Sequence, residues 1–123
     1  MRIPKIAAVL ASLLLLASTA QARSTYAPET LARYFSLDWK VVESPRGPTM
    51  EGFVHNRYNV NTDRMRLSIE YLDAAGQVVG STTTWVLGGV PANNRTWFTT
   101  PVAPATSYRV EILSFDWVNR GGA

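Results

Sequence analysis

His55 is the single histidine of the chain, and no cysteine accompanies it. A lone imidazole works as a general base only when the fold brings it a nucleophile and an orienting carboxylate, and no spacing around residue 55 supplies either. Val54-His55-Asn56 reads as strand, so a surface or turn-bonded histidine is the expected state. Zinc is unsupported, because one histidine and no cysteine leave the remaining ligands to carboxylates alone. Asn59, Asn61 and Asp63 stand at positions 1, 3 and 5 of a calcium-loop spacing, with Glu70 at position 12. Arg64, however, occupies the place where such a loop requires glycine, the first ligand is uncharged, and no helices flank it. The segment is therefore expected to be a polar turn between strands. Among the nine acids, no pair has a context suited to glycoside hydrolysis, and no nucleophile elbow, phosphate-cradling glycine loop or cofactor fingerprint is present. The expectation is a chain without catalytic residues, bound metal or cofactor.

Recognition through aromatics is the chemistry that remains. Trp97 and Phe98 are consecutive, so in a strand they point to opposite faces and only one can enter the core. An exposed Trp97 would lie beside Asn93, Asn94 and Arg95, and an indole next to amide side chains can stack on a sugar ring or anchor a protein partner. Trp97, Asn93, Asn94 and Arg95 are the candidate binding residues. The competing use of Trp97 is packing against an N-terminal helix or the end of a sandwich, and Trp117 is open to both uses.

Composition bounds the partners and the compartment. The formal charge of +3 includes Arg2 and Lys5, both within a segment that reads as an export leader. Ten basic residues then face nine acidic ones, a balance without the basic field of a nucleic-acid module. Met1-Arg2-Ile3-Pro4-Lys5 is a cationic start, Ile6 to Ala17 an apolar run, and Ala20-Gln21-Ala22 offers small residues to a signal peptidase. Twelve apolar residues in a helix rise about 18 Å, short of a hydrocarbon core of about 30 Å. Cleavage after Ala22 and release into the periplasm or the extracellular space are expected, with no membrane partner afterwards. Lack of cysteine excludes a lipid-carrying cysteine after the leader and, in a small exported domain, points to a bacterial source. The sequon Asn94-Arg95-Thr96 is then accidental.

Hydrophobic period supplies the elements that must position these residues. Residues 23–36 contain Pro28 and Glu29, suited to a first helical turn, followed by Leu31, Tyr34 and Phe35 on one face. From residue 37 the period becomes two. Strands are expected over about 37–42, 51–58, 64–72, 77–86, 95–100 and 107–118, with breaks at Ser44-Pro45-Arg46-Gly47-Pro48, Asn59-Val60-Asn61-Thr62-Asp63 and Pro101 to Pro104. Asp73-Ala74-Ala75-Gly76 has the residues of a type I turn and predicts a hairpin. In the last strand the apolar positions slip by one residue, which predicts a bulge near Leu113 or Ser114. If the third and last strands are neighbours, Arg66 and Glu70 face Glu111 and Arg109. Six strands without a helical period after residue 36 predict an antiparallel β-sandwich over 37–118, with a disordered tail over 119–123. Thirteen aromatics can stabilise such a core without disulfides.

Three segments carry a family resemblance. Gly52-Phe53-Val54-His55-Asn56, then Leu67 to Gly80 with Ile69-Glu70-Tyr71-Leu72-Asp73-Ala74-Ala75-Gly76, then Val90-Pro91-Ala92-Asn93-Asn94-Arg95-Thr96-Trp97-Phe98 resemble the FxLYD-type immunoglobulin-like domains of bacterial exported proteins. The likeness covers roughly residues 37–118, with Tyr71 and Leu72 in the reverse of the family's order. It implies an all-β, antiparallel immunoglobulin-like β-sandwich of six to seven strands, with Phe98 as the buried aromatic and Gly52, Asp73, Gly76 and Pro91 as structural residues. It also implies an accessory domain with no enzymatic activity and a protein, envelope or glycan partner; a carbohydrate-binding module is the alternative.

Overall fold

The computed structural model describes residues 26–118. The expected leader 1–22, its cleavage point and the tail 119–123 lie outside the described residues. One short helix, α1 (Pro28–Tyr34), precedes β1 (Phe35–Ser44), β2 (Gly47–Asn56), β3 (Thr62–Leu72), β4 (Val78–Val86), β5 (Asn94–Pro101) and β6 (Ser107–Trp117). The strands form two antiparallel three-stranded sheets, ordered β1-β2-β5 and β4-β3-β6. Their inner faces meet in one core, to which the first sheet gives Phe35, Met50, Val54 and Phe98 and the second Met65, Leu67, Ile69, Val86, Ile112 and Phe115. Apart from α1 the described residues are all-β, in a sandwich-like arrangement.

Local chemistry accounts for most boundaries. Pro28 and Glu29 start α1 as their types predict. The helix stops one residue before Phe35, which opens β1 because its ring packs edge-on to Phe115 at 4.9 Å and stacks on Trp117 at 5.8 Å. β2 begins at Gly47, four residues before the expected Glu51. The turn is only Pro45-Arg46, closed by the pair Ser44 and Gly47; Gly47 takes φ +112, and Ser44 Oγ donates to its carbonyl at 2.7 Å. β3 likewise begins inside the expected turn cluster. Thr62 is buried there, donating through Oγ1 to the Val90 carbonyl at 3.1 Å and accepting from Val90 N at 2.9 Å.

The Asp73–Gly76 turn forms as expected, with Gly76 N donating to Asp73 O and the Asp73 carboxylate accepting from Ala75 N and Gln77 N, each at 2.9 Å. The slip in β6 is a bulge at Leu113: Ile112 pairs with Leu67 and Ser114 with Arg66, leaving Leu113 without a partner. The extra residue lets Ile112 and Phe115 both enter the core. A compensating irregularity in β3 lies between Asp63 and Arg66, where Arg64 adopts φ +51.

The cross-strand expectation for β3 and β6 is met at one of its two pairs. Glu70 faces Arg109, and Arg109 Nη1 meets Glu70 Oε1 at 2.9 Å. Glu111 faces Ser68 instead of Arg66. With the uncharged Ser114 opposite it, the Arg66 guanidinium turns to β4, where it lies 5.2 Å from the Trp85 ring centre and donates to Thr83 Oγ1 at 3.1 Å. Trp117 is packing: it sits edge-on to Tyr34, Tyr58 and Phe115 at 4.9–5.4 Å, closing one end of the core.

Candidate functional site

Strand alternation divides β2 sharply. Met50, Gly52, Val54 and Asn56 turn inward and are buried, while Glu51, Phe53 and His55 face out of the first sheet. Gly52 admits no side chain, since a Cβ there would overlap the Asp38 carbonyl oxygen and the Trp39 backbone. β1 therefore rides close over β2 at this point. Asn56 is a clamp: Nδ2 donates to the carbonyls of Val60 (2.8 Å) and Val90 (3.3 Å), and Oδ1 accepts from Tyr58 N (2.9 Å). The glycine and asparagine of the Gly52–Asn56 segment thus have structural roles, and the residues between them display side chains to solvent.

The loop before β5 is held equally firmly. Asn93 N donates to Tyr58 O at 3.0 Å, Ala92 N to Asn61 Oδ1 at 2.7 Å, and Asn94 N to Pro91 O at 3.2 Å, with Asn93 at φ +54. Asn61, weighed above as a calcium ligand, is thereby occupied as a loop anchor, and Asp63 Oδ1 accepts from Arg64 N at 2.8 Å. No cluster of metal-ligating side chains occurs among the described residues.

On this scaffold the registers assemble an outer face that sequence spacing could not foresee. Asp38, Phe53 and Trp97 form one row across β1, β2 and β5; Ser36, His55 and Arg95 form the next; Lys40, Glu51 and Thr99 flank the first row on its other side. Trp97 is 46% exposed and Phe98 beside it is buried, so the two consecutive aromatics divide as expected. The Trp97 indole meets the Phe53 ring edge-on at 5.3 Å, and the Arg95 guanidinium lies 4.1 Å from the centre of that same ring. Phe53 is thus the hub of an aromatic and cationic strip.

His55 Nε2 donates to Asp38 Oδ2 at 2.7 Å, and the second carboxylate oxygen accepts from Phe53 N at 3.3 Å. Lys40 Nζ and Glu51 Oε1 stand 3.8 Å apart. A shallow groove of about 270 Å³ runs between Trp97 and the Lys40 and Glu51 pair, floored by Gly52 and Phe53. The expected site is split by this geometry. Asn93 and Asn94 line a separate polar notch of about 420 Å³ with His55, Asn56, Arg57 and Arg95, and only Arg95 of these also touches the aromatic strip, through the Phe53 ring. Phe53, Asp38, Lys40 and Glu51 were missed from sequence, and His55 was weighed there only as a general base or metal ligand. The period of two in residues 49–56 was the available signal, since it puts Glu51, Phe53 and His55 on the face opposite Met50 and Val54.

No family model, no curated protein and no solved structure matches the chain. What the site can do must be read from its own atoms. Asp38 and His55 have the two acid-base groups of a hydrolytic triad, and Ser36 is the register partner of His55. Yet no hydrogen bond joins the Ser36 hydroxyl to the imidazole, and the pair lies on an open sheet face with the Asp38 side chain 61% exposed. The strip offers flat aromatic surface, one guanidinium, the Lys40 and Glu51 ion pair and the hydrogen-bonded Asp38 and His55, a surface suited to recognition.

Proposed function

We propose that the chain is an exported, non-catalytic accessory domain of the FxLYD immunoglobulin-like type, which acts by presenting the outer face of its first sheet to a partner in the periplasm or outside the cell. The observation that carries this reading is the Trp97–Phe53–Arg95 strip: a half-exposed indole braced by one ring and a guanidinium resting on it. Side chains held in place before contact lose little rotamer freedom on binding, and Trp and Arg are the residue types most often decisive at interfaces. The strand order supports the immunoglobulin-like part. With β1-β2-β5 in one sheet and β4-β3-β6 in the other, the chain crosses between sheets after β2, β4 and β5, as in a Greek-key sandwich lacking its last strand.

A glycan is the second reading. It is favoured by the groove beside Trp97, where an indole face adjoins Lys40, Glu51 and Asp38 as hydrogen-bonding groups. Titrating intrinsic tryptophan fluorescence with soluble polysaccharides, and capturing envelope components on the immobilised chain, tests both readings. Loss of capture in Trp97→Ala supports the face as the binding surface, and capture unaffected by that change refutes it. A spectral shift with a polysaccharide that disappears in Trp97→Ala selects the glycan. Turnover of any ester or glycoside abolished by His55→Ala would overturn the non-catalytic reading.

A further inference from the structure

Each sheet ends in two edge strands, and three of the four carry charged side chains or a proline, recognised safeguards against pairing with another chain. β1 has Asp38, Lys40 and Glu43; β5 has Arg95 and Pro101; β6 has Arg109, Glu111 and Asp116, together with the bulge at Leu113. β4 has neither a charge nor a proline in its nine residues, seven of those nine are Val, Thr or Trp, and its one irregularity lies near its start, where Val79 is skipped between the pairs Tyr71–Gly80 and Leu72–Val78. Among the described residues, no backbone hydrogen bond joins β4 to any strand other than β3. Its outward side chains are Val79, Ser81, Thr83 and Trp85, and the two apolar ones are 65% and 52% exposed.

We propose that β4 pairs antiparallel with β4 of a second copy of this chain, about a two-fold axis through Thr82. The pattern of the strand selects the partner. With Thr82 opposite itself, Ser81 stands opposite Thr83 and Val79 opposite Trp85, so both exposed apolar residues are covered twice by one symmetric operation. Aromatic and β-branched residues directly across from one another are favourable cross-strand pairs, and an uncharged strand has no like charges to oppose in its own copy. The contact is isologous and closed, joining the two second sheets into one six-stranded sheet and leaving the Trp97 face of each protomer free. A single strand per partner covers less than the roughly 800 Å² of a standard interface, so the dimer is reversible.

Sedimentation velocity of the purified chain over a wide concentration range tests this, with two double variants at exposed positions. Ser81→Lys with Thr83→Lys places lysines directly opposite one another and is expected to weaken the dimer about tenfold or more. Ser81→Lys with Thr83→Glu places opposite charges across the axis and is expected to restore it to near the original affinity. Concentration-dependent hydrogen-exchange protection confined to β4 of the unaltered chain would support the pairing without any substitution. A single-protomer mass at every concentration, open-ended oligomers, or undiminished dimerisation of the double-lysine variant would overturn it.

Discussion

On the outer face of the second sheet Glu70 is 4% exposed and meets Arg109 at 2.9 Å, whereas on the first sheet Asp38 and His55 meet at 2.7 Å with side chains 61% and 33% exposed. The two contacts have similar lengths and opposite surroundings. Glu70 sits on the central strand, flanked by Ser81 of β4 and Arg109 of β6, so neighbouring strands remove it from water and its partner becomes obligatory. Asp38 stands on an edge strand where water already satisfies it. A carboxylate contact therefore serves the fold on the second sheet, while on the first it is available to a ligand. Aromatics do not follow this division: Arg66 lies over a Trp85 that is 52% exposed, and Phe53, with Arg95 on its ring, braces a Trp97 that is 46% exposed.

The most severe way to break this contrast is Gly52→Ala. The added methyl would force β1 from β2, and a loss of about 3 kcal/mol or more, or failure to fold, is expected in urea unfolding. Next is Arg109→Ala, which strands the Glu70 carboxylate. Removing one partner of a fully buried pair costs about 3–5 kcal/mol. Because this guanidinium is half in water, roughly 2 kcal/mol is expected, with Arg109→Lys recovering part of it. Phe53→Ala sharpens the comparison, since it frees both Arg95 and Trp97: a stability loss of about 1 kcal/mol should accompany a disproportionate loss of partner capture. Asp38→Asn should change stability by less than about 0.5 kcal/mol, and any small effect should shrink further in high salt. Equal losses for Asp38→Asn and Arg109→Ala would show that the two faces do not differ as argued.

Much of the architecture was legible in the chain, and the failures have identifiable causes. The six strands, the Asp73–Gly76 hairpin, the slip in β6 and the opposed fates of Trp97 and Phe98 all follow from side-chain period and turn chemistry acting over a few residues. Strand starts were misplaced at Gly47 and Thr62, because Pro48 and Thr62 are turn-forming types that here find strand partners: Glu43 opposite Pro48, and Val90 bonded to Thr62. Cross-strand pairing was half right. One register cannot satisfy both expected pairs: with Glu70 opposite Arg109, Ser68 stands opposite Glu111, and Arg66 lies two residues further along.

Local sequence by itself determined the β-class of the domain, the turns, and which residues of each strand face inward, because alternation and backbone preference are written within a few positions. Tertiary structure alone decided which outward residues meet. Phe53, Trp97 and Arg95 are brought together by the registers of β2 and β5, and Asp38 with His55 by the close approach of β1 over Gly52. Register is set by the shared core and the loop clamps at Asn56 and Thr62, acting over separations of 28 to 34 residues. A face assembled from three strands therefore has no signature in any one of them.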